Sequence, residues 1–353
     1  MSGVLRMEPM ALEALVAGIF RHAGVAEGDA LFWARSLVTA NLRGVDSHGV
    51  LRVPRYLEWL ASGEIKARPE MRLLRESGAI ALLDADRAPG PVGMARAMEI
   101  AIARAREVHV GWCVARDITH AGAVGQYVLQ AAEAGMVGLV MTASGPLMAY
   151  HGSQGPVVST NPIAIGIPAR DRPPLVLDMA TATVALGKIQ QARQSGRPVP
   201  EGWGVDAQGL PTTDAAAIAT LLPMAGAKGS GLSLMIECLA SLVAGNPVLA
   251  PALSGRKGTR MNGTAVALDV TAFGEPGAFA AEVDALAEVV LAQPPAPGVE
   301  RLLLPGERGD VVRVLRQEEG IPLPAAVWKQ LAAAAAAAGL AMPEPLPGQG
   351  VLS

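Results

Sequence analysis

The stretch Arg43 to Tyr56, RGVDSHGVLRVPRY, sets a serine, a histidine and three arginines between two apolar helical patterns. An imidazole moves protons near neutral pH, and a guanidinium holds a planar carboxylate through two parallel bonds, so the pair suits an acid substrate. Ser47 suits a helix N-cap, because its hydroxyl can accept a bond from a free amide of the first turn. A helix starting there puts His48, Arg52 and either Arg55 or Tyr56 on one face. Pro54 cannot donate an amide hydrogen; it either kinks that helix or marks its true first turn. The plain alternative is a helix end whose serine caps and whose arginines are solvated.

Three further places carry polar groups to the ends of short apolar runs. In VARDITHAGAVGQYVLQAAEAGMVGLVMTAS, Val114 to Ser144, a strand is followed by a tight loop, a helix that stops at Gly135, and a buried strand. His120 stands at the end of the first strand, and Gly122 and Gly125 let backbone approach a ligand where a helix begins and free amides favour an anion. A histidine capping a packed loop is the structural alternative. In LVLDMATATVALGKI, Leu175 to Ile189, a strand delivers Asp178 to its end before a helix from about Thr183. That carboxylate could bond a ribose hydroxyl, orient a histidine, or close an Asx turn. In MAGAKGSGLSLMIECLASLVAG a Gly-rich loop with Lys228 precedes a helix, but Gly229 follows the lysine and the nucleoside-triphosphate motif fails. Lys228 could hold a cofactor phosphate or simply face solvent.

The elements that must position these groups come from periodicity. Leu12, Leu15, Val16, Ile19 and Phe20 recur at helical spacing, as do Ala30, Trp33, Ala34, Leu37 and Val38, and a third helix runs from Tyr56 towards Gly63. From Met71 short apolar runs bounded by Gly, Pro and Asp begin a mixed α and β region: a strand at Ala79 to Leu83, a helix at Ala95 to Val108, an extended Gly111 to Ala115. Gln194 to Asp214 reads as a long loop, and Gly255 to Gly274 as a loop leading into a strand near Ala265 to Val270. Ala278 to Leu291 reads as a helix. Leu302 to Leu304 reads as a strand entering the PGERGD turn, Ala325 to Ala338 as a late helix, and the end after Gly339 as frayed. The fold class is α/β of the α+β kind. No G-x-G-x-x-G follows a first strand, so a standard Rossmann domain is not supported.

The 353 residues favour two domains and a large core. Hydrophobic residues make up 51%, charged ones 17%, and the net charge is -3, which offers no basic field for nucleic acid and no cationic face for a membrane. Cys113 and Cys238 are too few for a disulfide framework, and no Cys and His spacing resembles a metal site. The expectation is a reduced, cytoplasmic, metal-free enzyme with histidine chemistry and an anionic ligand. Glu8 and Glu13 interrupt any signal-peptide core, and no apolar run reaches membrane-spanning length.

Taken together, RGVDSHGVLRVPRY, THAGAVGQY, STNPIAIGIP, VLDMAT, GRPVPEGWGVDAQGLPTTD, GAKGSGLSL and PGERGD resemble, in order along nearly the whole chain, the second family of malate and lactate dehydrogenases. These non-Rossmann oxidoreductases also include ureidoglycolate, sulfolactate and diketogulonate enzymes and cyclic imino-acid reductases. The resemblance implies a homodimer that uses NAD or NADP at the carbon beside a small substrate's carboxylate. The expected division is a helical domain of residues 1–75, joined by 312–353, and a dinucleotide-binding mixed-sheet domain of residues 76–311. By the same resemblance His48 and His120 match the proton-transferring histidines, and Ser47 and Arg52 match residues that orient a histidine and hold the carboxylate. Ser144, Asp178, Met179, Ala180, Lys228, Gly306, Glu307 and Arg308 match dinucleotide-binding places, with Gly122 in the same loop as His120. Asp178 is also a catalytic candidate, and Thr160 and Asn161 line the cleft, Thr160 toward substrate. The chain departs from the usual pattern at Ala143, Ala215 and Ala227, which bears on the shape of the pocket. Two rivals are a hydrolase built on Ser47 and His48, disfavoured because no G-x-S-x-G elbow exists, and an inactive dinucleotide-binding subunit.

Overall fold

The computed structural model describes residues 4–346 apart from Lys257, Thr259, Arg260 and Pro276. Helices Pro9–His22 and Glu27–Leu42 form where the apolar periodicity predicts them, and their apolar stripes meet in one core. Glu8 caps the first, its carboxylate accepting from the amides of Met10 and Ala11 at 2.9 and 2.6 Å. Trp33 stacks on Phe20 with centroids 4.0 Å apart and leans on Tyr56 at 5.0 Å. All three rings are fully or almost fully buried, and burying a large apolar side chain contributes about 1.5–3 kcal/mol. The other end of the chain completes this core. Strand Leu5–Met7 pairs antiparallel with Ile321–Leu323, and Leu331 and Ala335 of helix Ala325–Ala337 are buried in the same cluster. The segment after Gly339 docks instead of fraying as far as Leu346: Leu340 and Met342 pack on the core, and the Leu346 amide donates to Arg6 O at 2.9 Å. Residues from Pro347 onward lie outside the described residues.

Among the described residues seven strands form the main sheet, in the spatial order Arg72–Ser77, Ile80–Ala88, Val110–Ile118, Met261–Leu268, Val137–Ser144, Ile163–Ile167, Leu175–Met179. Only Ile80–Ala88 and Val110–Ile118 run parallel; the other neighbours are antiparallel. This is not the all-parallel doubly wound sheet of a Rossmann domain. Helices Gly90–Val108 and Gly125–Glu133 pack against it through Met94, Met98, Ala101, Tyr127 and Val128. Small alanines from strand and helix fill the contact, which is why a chain with 3% aromatics still closes its core. The middle strand begins at Met261, inside the stretch expected to be a loop from Gly255, three of whose residues are outside the described set.

Three boundaries differ from the sequence reading, each at a polar group of interest. Leu302 to Leu304 is not a strand: Gly306, at φ +91°, turns the chain directly into helix Glu307–Glu319. The helix after Asp178 begins at Leu186 instead of Thr183, since the Thr181–Val184 run is tied across to the Leu222–Met224 loop by backbone bonds. Lys228 sits inside the first turn of helix Ala227–Glu237, not in the loop before it. Among the described residues no helix is long and apolar enough to cross a membrane.

Candidate active site

Ser47, His48 and Arg52 do come together, but not on one helical face. Two short 3-10 turns, Asp46–His48 and Val50–Arg52, precede helix Val53–Ala61, and Pro54 sits in the first turn of that helix. Proline's fixed φ and missing N–H suit a first turn, so the alternative that Pro54 marks the helix start holds. Ser47 therefore caps no helix. Its Oγ lies 2.9 Å from His48 Nδ1, and Arg52 folds back so that Nε donates to Ser47 O at 2.8 Å.

His120 follows strand Val110–Ile118 and is fixed through its neighbour. Thr119 Oγ1 donates to Ala88 O and accepts from the Gly90 amide, both at 2.9 Å. Gly90 opens helix Gly90–Val108 so close to this segment that a Cβ there would fall 2.2 Å from His120 O. The two imidazoles, 72 positions apart in the chain, are stacked with centroids 5.6 Å apart and planes 12° from parallel. Desolvation, with Arg52 beside it, pushes the His48 pKa down to about 4. His120 is held well below the usual histidine value by desolvation first, then by His48 and Arg52. Both rings are neutral at physiological pH. Tyr56 Oη lies 2.8 Å from His120 Nδ1, and burial raises its phenol pKa so that it stays protonated. With each Nδ1 facing a hydroxyl, neither Nε2 has a hydrogen-bond partner among the described residues.

A cleft of about 250 Å³ opens nearby in the chain's topology, lined by Arg43, Gln126, Asp178, Gly306 and Arg308 among others, though not by the histidine rings. Asp178, at the end of edge strand Leu175–Met179, accepts from the Gly125 amide at 2.8 Å. Desolvation raises its carboxyl pKa against the opposing pull of that amide and of Arg43. Gly306 O accepts from Arg43 Nη2 at 3.2 Å, while Arg43 Nη1 pairs with Asp310 at 2.6 Å. The Glu307 carboxylate accepts from the Leu304 amide at 2.9 Å and pairs with Arg301, and these contacts lower its pKa. Gly122, at φ +72°, shapes the turn before helix Gly125–Glu133.

The remaining candidates form a second knot. The Ser144 amide donates to Asn161 Oδ1 at 3.1 Å, and Ser144 Oγ is 2.6 Å from Ser159 Oγ. Asn161, fully buried, donates to Ser233 O at 3.0 Å. Thr160 O accepts from the Thr181 amide, and Thr181 O from the Met224 amide, at 3.2 and 2.9 Å. Backbone bonds thus tie Thr160 and the stretch just past Met179 and Ala180 to the loop before Lys228, whose side chain is exposed, while Ser144 joins through the Asn161 and Ser159 side chains. Sequence reading missed Tyr56 as the partner of His120, and missed Arg43 and Gln126 as cleft residues. A hydroxyl on an otherwise apolar helix face was the available signal for Tyr56; the other two gave none.

The non-Rossmann mixed sheet thus brings His120 against His48 and Arg52 of the 3-10 turns, with a cleft holding an acid and a cation. Over residues 7–332 the chain matches the malate/L-lactate dehydrogenase family, and it belongs to that family of NAD(P)-dependent 2-hydroxyacid dehydrogenases. It is 34% identical to malate dehydrogenase of Pyrococcus horikoshii, over 93% of this chain and 94% of that one. It is 33% identical to the NAD(+) ureidoglycolate dehydrogenase of Escherichia coli O157:H7, over 91% and 93%. The solved structure of sulfolactate dehydrogenase from Methanocaldococcus jannaschii superposes with a TM-score of 0.87 at 34% identity, covering 96% of this chain and 98% of that one.

Proposed function

We propose that the chain moves a hydride between a nicotinamide dinucleotide, NAD or NADP, and the carbon beside the carboxylate of a small 2-hydroxy or 2-keto acid. The observation that carries this reading is the stacked pair of His48 and His120 with the Arg52 guanidinium close enough to depress both imidazoles. Arg52 anchors the substrate carboxylate. A histidine Nε2 takes the hydroxyl proton in oxidation and returns it in reduction. Kept neutral by desolvation and Arg52, the rings are ready to accept; a carboxylate on Arg52 offsets its charge and raises their proton affinity, which suits the donor role. Ser47 and Tyr56 orient the two rings through Nδ1.

The residues fit a dinucleotide. Thr181 Oγ1, just past Ala180, is a buried polar atom without a partner among the described residues, and such an atom asks for a ligand or water; the Gln126 side chain offers an amide at the cleft. Arg308 lies in the first turn of helix Glu307–Glu319, where free amides favour phosphate. When bound, the dinucleotide supplies or takes up the hydride. Gly122, Ser144, the Asp178 to Ala180 segment, Lys228 and the Gly306 to Arg308 turn hold it, Glu307 by shaping the turn, and Thr160 lines the substrate side. We also propose a homodimer: Leu286 and Val289 on helix Ala278–Leu291 are about 60% exposed, an apolar face that a second copy would cover, and light scattering should return the mass of two chains.

Substitution separates the roles. His48→Ala or His120→Ala, whichever removes the proton-transfer group, should lower turnover by about a hundred- to ten-thousandfold. Arg52→Lys should raise the Michaelis constant for the acid, since lysine lacks the bidentate fork. Near wild-type turnover in both alanine variants would remove the histidines from the chemistry. A cyclic imino acid belongs in the substrate panel, because the same arginine and histidines would serve it.

A further inference from the structure

The catalytic stretch is held from the far end of the chain. Arg316, on helix Glu307–Glu319, donates through Nη1 and Nη2 to Asp46 Oδ1 and Oδ2 at 2.7 and 3.0 Å, a two-point grip, and Nη1 also reaches Asn41 O. Asn41 completes the frame: its Nδ2 donates to Asp46 Oδ1 at 2.6 Å, and its Oδ1 accepts from the Val50 amide at 2.8 Å. The bonds thus land on both sides of Ser47 and His48, at Asp46 and at Val50. Gly49 lies between them so tightly that a Cβ would fall 2.1 Å from Asn41 Oδ1. The Arg316 side chain is 15% exposed and Asp46 is 46% exposed. An ion pair that open to water adds little to stability, and its two-point geometry is better suited to fixing an orientation.

We propose that Arg316 is a positioning residue: through Asp46 and Asn41 it fixes the pair of 3-10 turns that present Ser47, His48 and Arg52. The proposal rests on the dehydrogenase reading for its kinetic consequence only. It gives helix Glu307–Glu319 two duties. Its first turn carries Arg308 to the cleft, and about two turns further on Arg316 sets the turns that present His48.

The test compares Arg316→Ala, Arg316→Lys and Asp46→Asn with His48→Ala, by steady-state kinetics with the best 2-keto acid and by histidine NMR titration of the whole protein. Because misplacing a reacting group by about 1 Å can cost about a hundredfold, Arg316→Ala should lower kcat tenfold or more, while the Michaelis constant for the dinucleotide stays within about twofold. Arg316→Lys should fall between, losing the fork but keeping the charge. Added to His48→Ala, Arg316→Ala should cost little more, as expected of two residues acting as one unit. The titration reads position without turnover: loosening the turns should let the His48 pKa rise from about 4 towards its ordinary value. Should Arg316→Ala fail to fold, Asp46→Asn, which keeps side-chain shape and removes the charge, carries the same expectations. Unchanged kcat in the folded variants, a full multiplication of the two losses, or an unmoved His48 titration would each overturn the proposal. If the wild type turned over no acid, the dehydrogenase reading would fail separately and the titration would decide the positioning role.

Discussion

Neutral histidines make the site's pH behaviour specific. The His48 pKa is lowered from 6.5 to about 4, so between those values the unfolded chain binds a proton that the folded chain does not. Stability contributed by the neutral ring is therefore complete above about 6.5 and is lost as pH falls towards 4, with His120 adding in the same direction. The thermal midpoint should fall over that window more in the wild type than in His48→Gln; an equal fall in both would show that the ring is not desolvated. If a histidine is the base, as proposed, oxidation should persist well below the range in which an ordinary histidine is lost. At this scale the sequence was informative about residue type and blind to partner. RGVDSHGVLRVPRY put Ser47, His48 and Arg52 together with the bonds they share, yet Tyr56 meets His120 from 64 positions away and Arg316 grips Asp46 from 270 positions away. Such distances leave no trace in local spacing.

Elements were legible where one side of them is apolar and were not where backbone bonds to distant segments decide. Helices Pro9–His22, Glu27–Leu42 and Ala278–Leu291 follow their periodicity closely. A serine before an apolar helical run suggests an N-cap, but Pro54 and the fold-back of Arg52 onto Ser47 O move the helix start to Val53. Leu302 to Leu304 looks like a strand by composition; the Leu304 amide goes to Glu307 instead, forming a turn that opens the next helix. The start of helix Gly90–Val108 bears most directly on the proposed chemistry, because it abuts His120 O. Gly90→Ala should push that helix off the His120 segment, with overpacking of this sort costing about 1–3 kcal/mol, and turnover should fall even in the fraction that folds. An alanine variant with wild-type stability and rate would mean that the close approach does not set the position of His120.

At the scale of the molecule, the two ends of the chain build one core around Trp33 and Tyr56, and the middle builds the sheet that carries His120 and Asp178. The site lies where they meet: Tyr56 reaches from the first to His120 on the second, and Arg43 reaches from the first to Gly306 and Asp310. The mixed character of the sheet was readable from short apolar runs and the missing glycine fingerprint, whereas its strand order, with Met261–Leu268 in the middle, depends on pairing across more than a hundred residues. The most direct test of the account is consumption of NADH and of NADPH, each followed by the absorbance of the reduced nicotinamide, against a panel of small 2-keto acids. At least one acid should be reduced with one of the two dinucleotides, and the rate should collapse in His48→Ala, His120→Ala or both. A folded protein that oxidises neither dinucleotide with any acid or cyclic imine, and whose thermal midpoint neither dinucleotide raises, would contradict it.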